Sequence, residues 1–72
     1  MAVKPLDTVY KNISNRVIVK LKGNREYRGT LDGFDPHMNL VLKNCEEVVD
    51  DNVVAKFELA IIRGDNVIYL SP

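Results

Sequence analysis

His37 and Asn39 lie two positions apart in the stretch Asp35-Pro36-His37-Met38-Asn39. A flat imidazole can stack, and a primary amide can donate and accept hydrogen bonds together. That is the minimum equipment for reading an unpaired base. The surrounding residues place the pair. Leu31-Asp32-Gly33-Phe34 runs into the polar cluster, and Leu40-Val41-Leu42 is apolar again. Pro36 lacks a backbone donor and biases Asp35 towards extended geometry, so the stretch reads as a strand, an exposed loop and a buried strand. Side chains at i and i+2 near a strand start point the same way, which predicts His37 and Asn39 on one side. Asn39 also has the chemistry to cap its own turn.

Catalytic and metal chemistry fare less well. A nucleophile and base pair would have to join His37 to Cys45, Ser14 or a threonine, and none has a third orienting group or a recognisable motif. Asp32 and Asp35 are explained by bonding within a turn or loop. Glu46, Glu47, Asp50 and Asp51 lack the ligand spacing and terminal glutamate of a calcium loop, so they read as a solvated acidic turn spanning 46–52. With one histidine and one cysteine, a tetrahedral zinc site cannot be built within one chain. No enzyme activity, cofactor or metal is expected.

A chain of 72 residues makes one small domain, 1–72, burying roughly 60% of its unfolded surface. The lone Cys45 excludes an internal disulfide, so association with further copies is the remaining source of stability. Ten Lys and Arg balance ten Asp and Glu, which argues against a general polyanion binder. Nucleic-acid binding would have to be local and directed at bases. No charged leader or membrane-length apolar run is visible, and a soluble, cytoplasmic protein without membrane contact is expected.

Elements must now position the loop. Leu6, Val9, Tyr10 and Ile13 repeat at helical spacing after Pro5, predicting a short helix over about 5–13 with an apolar stripe. Arg16–Lys22 alternates, with Val17, Val19 and Leu21 on one face, and Gly23-Asn24 signals a tight hairpin. In the next strand Gly29 and Gly33 call for a bulge, a bend or a close approach, and a bulge near Gly33 would turn Phe34 inward. A strand over 53–62 carries Phe57, Leu59 and Ile61 on one side and ends apolar on both, so it needs cover from beyond its own sheet. Arg63-Gly64-Asp65-Asn66 is a turn, and Val67-Ile68-Tyr69-Leu70 a hydrophobic edge strand suited to joining chains. Tyr10, Tyr27 and Tyr69 read as packing residues. The order is a helix and five short antiparallel strands, compatible with an SH3-like or an OB-type barrel.

These residues resemble the Sm and Sm-like (LSm) RNA-binding proteins, in the archaeal form. The first family motif is similar to about 17–47, with Gly29 and Asp35-x-x-Met38-Asn39. The second, within about 53–70, is similar to Ile62-Arg63-Gly64-Asp65-Asn66-Val67-Ile68. The resemblance implies an all-β Sm fold: a short amino-terminal α-helix and a strongly bent five-stranded antiparallel SH3-like barrel. It implies a homo-oligomeric, heptameric ring in which the fourth strand pairs with a neighbour's fifth. It further implies single-stranded uridine-rich RNA in the central pore and RNA-processing proteins as further partners. In that reading His37 and Arg63 sandwich a base, Asn39 pairs with the uracil edge, Asp65 holds Asn39 or its loop, and Gly64 allows the close turn. The physics is compatible, since a guanidinium is a flat cation with in-plane donors.

Two other readings stand beside this one. An SH3-like barrel assembled through its edge strands could serve as a protein-interaction scaffold without RNA preference. An OB-type monomer could bind single strands. Arg63-Gly64-Asp65 also spells an adhesion tripeptide, which a chain without a secretion signal has little opportunity to use.

Overall fold

The computed structural model describes residues 5–72. Helix α1 spans Pro5–Lys11, with Asp7 in its first turn and Lys11 in its last, both favourable to the helix dipole. It stops short of the expected residue 13. Asn12 N–H donates to the Val9 carbonyl at 3.0 Å and Ile13 N–H to that of Tyr10 at 3.2 Å, and Ser14 then turns the chain away at φ 72°. Ser14 N–H donates to the Leu31 carbonyl at 2.7 Å and Leu31 N–H to that of Asn15 at 2.9 Å, docking this turn on the sheet. Of the predicted apolar stripe Val9 is buried and Ile13 half-buried, whereas Leu6 is exposed and Tyr10 is 72% exposed. A helix of about two turns touches the sheet along one line, and Val9 occupies it.

Five antiparallel strands follow: β1 (Arg16–Leu21), β2 (Arg25–Phe34), β3 (Leu40–Val49), β4 (Asn52–Ile62) and β5 (Val67–Ser71), in the order β4-β3-β2-β1-β5. Val17, Val19 and Leu21 point into the core as their alternation predicts. Gly23 and Asn24 make the first hairpin with φ of 82° and 60°. At the second, the acidic turn contracts to Asp50 and Asp51, at φ 50° and 65°. Glu46–Val49 belongs to β3 instead, because Val48 is buried and Glu47 lies 3.4 Å from Arg25 across the strand pair. The middle strands are long, with 10 residues in each of β2 and β3 and 11 in β4.

The order leaves β4 and β5 at opposite edges, yet only residues 63–66 join them. Edges of a flat five-stranded sheet stand about 19 Å apart. The connection is wound as a 3-10 turn over Gly64–Asn66, which at ~2 Å per residue reaches roughly 10 Å. The sheet must therefore curl. Register steps show where it does. One falls between Arg28 and Thr30, opposite Asn44 at φ 49°, and one between Leu31 and Gly33. The second step turns Phe34 towards the core, as the glycine spacing implies. Gly29 serves close approach: a Cβ there would come within 2.9 Å of the Cys45 Cα.

The core comprises Val19, Leu31, Leu40 and Leu42, all with no accessible surface, with Val17, Cys45 and Ile62 around them. Truncating one such leucine to alanine costs about 2–5 kcal/mol. Burial pushes the Cys45 thiol pKa up. Tyr27 packs as expected, stacking on Phe57 with centroids 6.4 Å apart, but Tyr10 and Tyr69 stand exposed. Apolar side chains on β4 and β5 likewise face outward, with Ile61 73% and Ile68 59% exposed. Among the described residues, no helix is long and apolar enough to cross a membrane.

Candidate functional site

The curl brings the β2–β3 loop against the β4–β5 turn. Their contact needs a residue without a side chain, because a Cβ at Gly64 would collide with the His37 carbonyl oxygen and lie 2.8 Å from the Met38 carbonyl carbon. Gly64 N–H donates instead to Asn39 Oδ1 at 2.7 Å, linking two segments 25 residues apart.

Asp35 organises the loop itself. Its Oδ1 accepts the backbone N–H of His37 at 2.9 Å and of Asn39 at 3.1 Å, and its Oδ2 accepts Asn39 Nδ2 at 2.8 Å. The backbone closes the same turn, with Asp35 N–H donating to the Asn39 carbonyl at 3.1 Å and Met38 N–H to that of Asp35 at 2.9 Å. The Asn39 amide donating to Asp35 holds its carboxyl below the usual carboxylate range, and the two backbone N–H groups add to the effect. Asp35 is therefore an anion at neutral pH.

His37, Asn39, Arg63, Gly64 and Asp65 line one open cleft of about 440 Å³. Strand alternation is not what aligns His37 with Asn39. Met38 between them sits at φ 63° and β3 begins only at Leu40, so a left-handed turn residue sets their direction. Arg63 and His37 are exposed, while Asn39 is half-buried. Asp65 does not hold Asn39. Its carboxylate accepts from Arg63 Nη2 at 3.3 Å, at the exposed start of the 3-10 turn, and the partner of the Asn39 amide is Asp35. The signal for Asp35 was its place before Pro36 and four residues before Asn39, where an aspartate commonly bonds the backbone two residues on.

The chemistry left available is specific. Asn39 has spent one amide hydrogen on Asp35 and one carbonyl lone pair on Gly64. One donor and one acceptor remain. Around them stand a flat imidazole and a flat guanidinium, and a second cleft of about 620 Å³ is lined by Asp35, Asn39 and Arg63 together with Phe34, Val41 and Ile61.

Comparison with known proteins adds to this geometry. The profile of the LSM domain matches residues 7–72. The chain belongs to the LSM family. It is 57% identical over 72 residues to a protein of Methanosarcina acetivorans designated snRNP Sm-like, covering 100% of both chains. Among solved structures, the Sm protein of Pyrococcus abyssii in complex with a uridine heptamer superposes with a TM-score of 0.94 at 41% identity, covering 97% of this chain and 99% of that one. The SmAP1 heptamer of P. aerophilum superposes with a TM-score of 0.90 at 39% identity, covering 100% and 96%. The bent five-stranded sheet of this LSM chain is thus the Sm fold, with its short helix at the amino end.

Proposed function

We propose that this LSM chain, as one domain over 1–72, forms a homo-heptameric ring that binds single-stranded uridine-rich RNA at its central pore. The ring acts without catalysis, in the cytoplasm, in RNA processing or turnover. The observation that carries the reading is the cleft: His37 and Arg63 supply flat faces, and Asn39 offers one donor and one acceptor between them. Uracil presents an N–H beside a carbonyl, which such an amide complements. The Pyrococcus abyssii relative, solved with a uridine heptamer, supports the same ligand.

Assembly follows from the edges. β4 and β5 each pair on one side within the described residues, and Leu59, Ile61, Ile68 and Tyr69 face outward along them. Pairing the β4 edge of one copy with the β5 edge of the next satisfies backbone groups and covers this apolar surface. Such a head-to-tail joint closes into a ring when its rotation divides a full turn. Repeating a weak site around the ring raises affinity through effective concentration.

Native mass spectrometry with oligo-U and oligo-A tests the proposal. A seven-chain particle that takes up oligo-U and not oligo-A is expected, and Asn39→Ala should weaken oligo-U binding far more than oligo-A binding while leaving the ring intact. An equal loss for both would remove the base-reading role. A ring indifferent to both RNAs would shift the reading to a protein scaffold.

A further inference from the structure

We propose that the first half of β4 is a docking edge for an extended, arginine- or lysine-bearing segment of a partner protein, which adds as a further strand and places a cationic side chain in the cleft beside Phe57. The inference rests on the ring reading above and goes beyond it, because the joint between copies does not use up the strand that makes it.

Strand lengths carry the argument. β4 has 11 residues and β5 has 5, and β5 is followed by Pro72, which has no N–H to give to a ladder. A joint between them therefore leaves six positions of β4 without a counterpart. The turn at 63–66 ends β4, starts β5 and holds Arg63, Gly64 and Asp65 at the cleft. With that cleft at the pore, β4 runs inward and a neighbour's β5 runs outward, so β5 lies against residues 58–62. Residues 52–57 remain, paired with β3 on one side and open on the other among the described residues. At ~3.4 Å per residue this is about 20 Å of free edge. Val48 opposes Val53 and Glu47 opposes Ala55, which leaves Val54 as a bulge. The bulge confines the regular ladder to residues 55–57. Val53 and Val54 beyond it are exposed and apolar, whereas an edge built only to repel would carry charge there.

A cleft of about 300 Å³ adjoins that ladder and selects the chemistry. It is lined by Asn44, Cys45, Glu46, Lys56, Phe57 and Glu58. Phe57 stacks on Tyr27 and stays 41% exposed, so its ring can take the stem of a long side chain or the face of a guanidinium. Glu46 and Glu58 enter no ion pair among the described residues, although Lys56 opposes Glu46 in the strand register. Two carboxylates against one ammonium leave the cleft net negative. A cation on an aliphatic stem satisfies both the aromatic ring and the carboxylates. A second copy of β4 would bring the same carboxylates with it and fits less well.

The experiment takes the RNA-free ring and a terminally blocked peptide of alternating arginine and valine, ~8 residues long, and reads amide hydrogen exchange and binding. In the ring alone, the amides of residues 58–62 should be protected, while those of residues 52–57 that do not bond β3 exchange freely. The peptide should slow the latter, at residues 55–57 above all. Glutamate in place of the arginines, or proline in place of the valines, should abolish binding. Glu46→Gln combined with Glu58→Gln should weaken peptide binding roughly three- to tenfold and leave oligo-U affinity unchanged. Outward amides already protected in the free ring would show that the neighbour covers this edge, which overturns the proposal. A ring that takes up no peptide, one that takes the glutamate peptide equally well, or one that pairs with a second ring through this edge also overturns it. A chain that stays monomeric is a different result, the failure of the ring reading itself.

Discussion

Gly64→Ala is the substitution whose effect follows most directly from the geometry. The added Cβ would overlap the His37 carbonyl oxygen and lie 2.8 and 2.9 Å from the Met38 and His37 carbonyl carbons. All three are backbone atoms, so no side chain can swing aside and one of the two loops must move. Overpacking of this kind costs about 1–3 kcal/mol. Separation also breaks the bond from Gly64 N–H to Asn39 Oδ1, a further ~1 kcal/mol. A total of about 2–4 kcal/mol should lower the thermal midpoint by roughly 10 °C or more in a chain of this size, at matched protomer concentration. Oligo-U affinity of the ring that remains should fall as well, because Asn39 has lost one of its two anchors. Gly29→Ala is the control. Its Cβ would meet Cys45 Cα at 2.9 Å and the Lys43 carbonyl at 3.1 Å, in the core and away from the cleft. It should lose stability yet bind oligo-U normally where folded. A Gly64→Ala ring with unchanged midpoint and unchanged oligo-U affinity would refute the claim that this glycine joins the loops.

Ile61→Asp should leave the protomer folded, since Ile61 is 73% exposed, but reduce assembly; a full-size particle by native mass spectrometry would move the joint away from β4. Asp35 gives a pH dependence whose sign is fixed. Its carboxyl titrates below its ordinary 3.8 in the fold and near that value when unfolded, so its contribution is complete at higher pH and is lost as pH falls through the depressed value. The backbone amide signals of His37 and Asn39 should therefore shift with a midpoint below 3.8, and a midpoint above 3.8 would contradict the hydrogen-bonded carboxylate.

What the sequence reveals and what it conceals divide along a physical line. Alternation located Val17, Val19 and Leu21 on the buried face of β1, and glycine spacing located the bulge that turns Phe34 inward, because both patterns report local backbone geometry. The same reasoning did not locate the surfaces that Leu6, Tyr10 and Tyr69 pack against. An apolar stripe states that a surface needs cover without stating which chain supplies it, and here these side chains remain open on the protomer. In the loop, composition pointed to His37 and Asn39 but not to the residue that steers them. Asp35 and Asp65 are both carboxylates near the cleft; the place of Asp35 four residues before Asn39 points to a bond within its own loop but does not say which groups it meets. What separates them is a Met38 with φ 63°, a left-handed conformation that a non-glycine residue rarely adopts and that no propensity announces. That turn folds Asn39 back onto Asp35, leaving Asp65 to face Arg63. The cleft therefore depends less on its exposed residues than on one strained turn and one close glycine contact. Substitutions at 38 and 64 should accordingly disturb RNA binding without replacing any of the exposed flat groups.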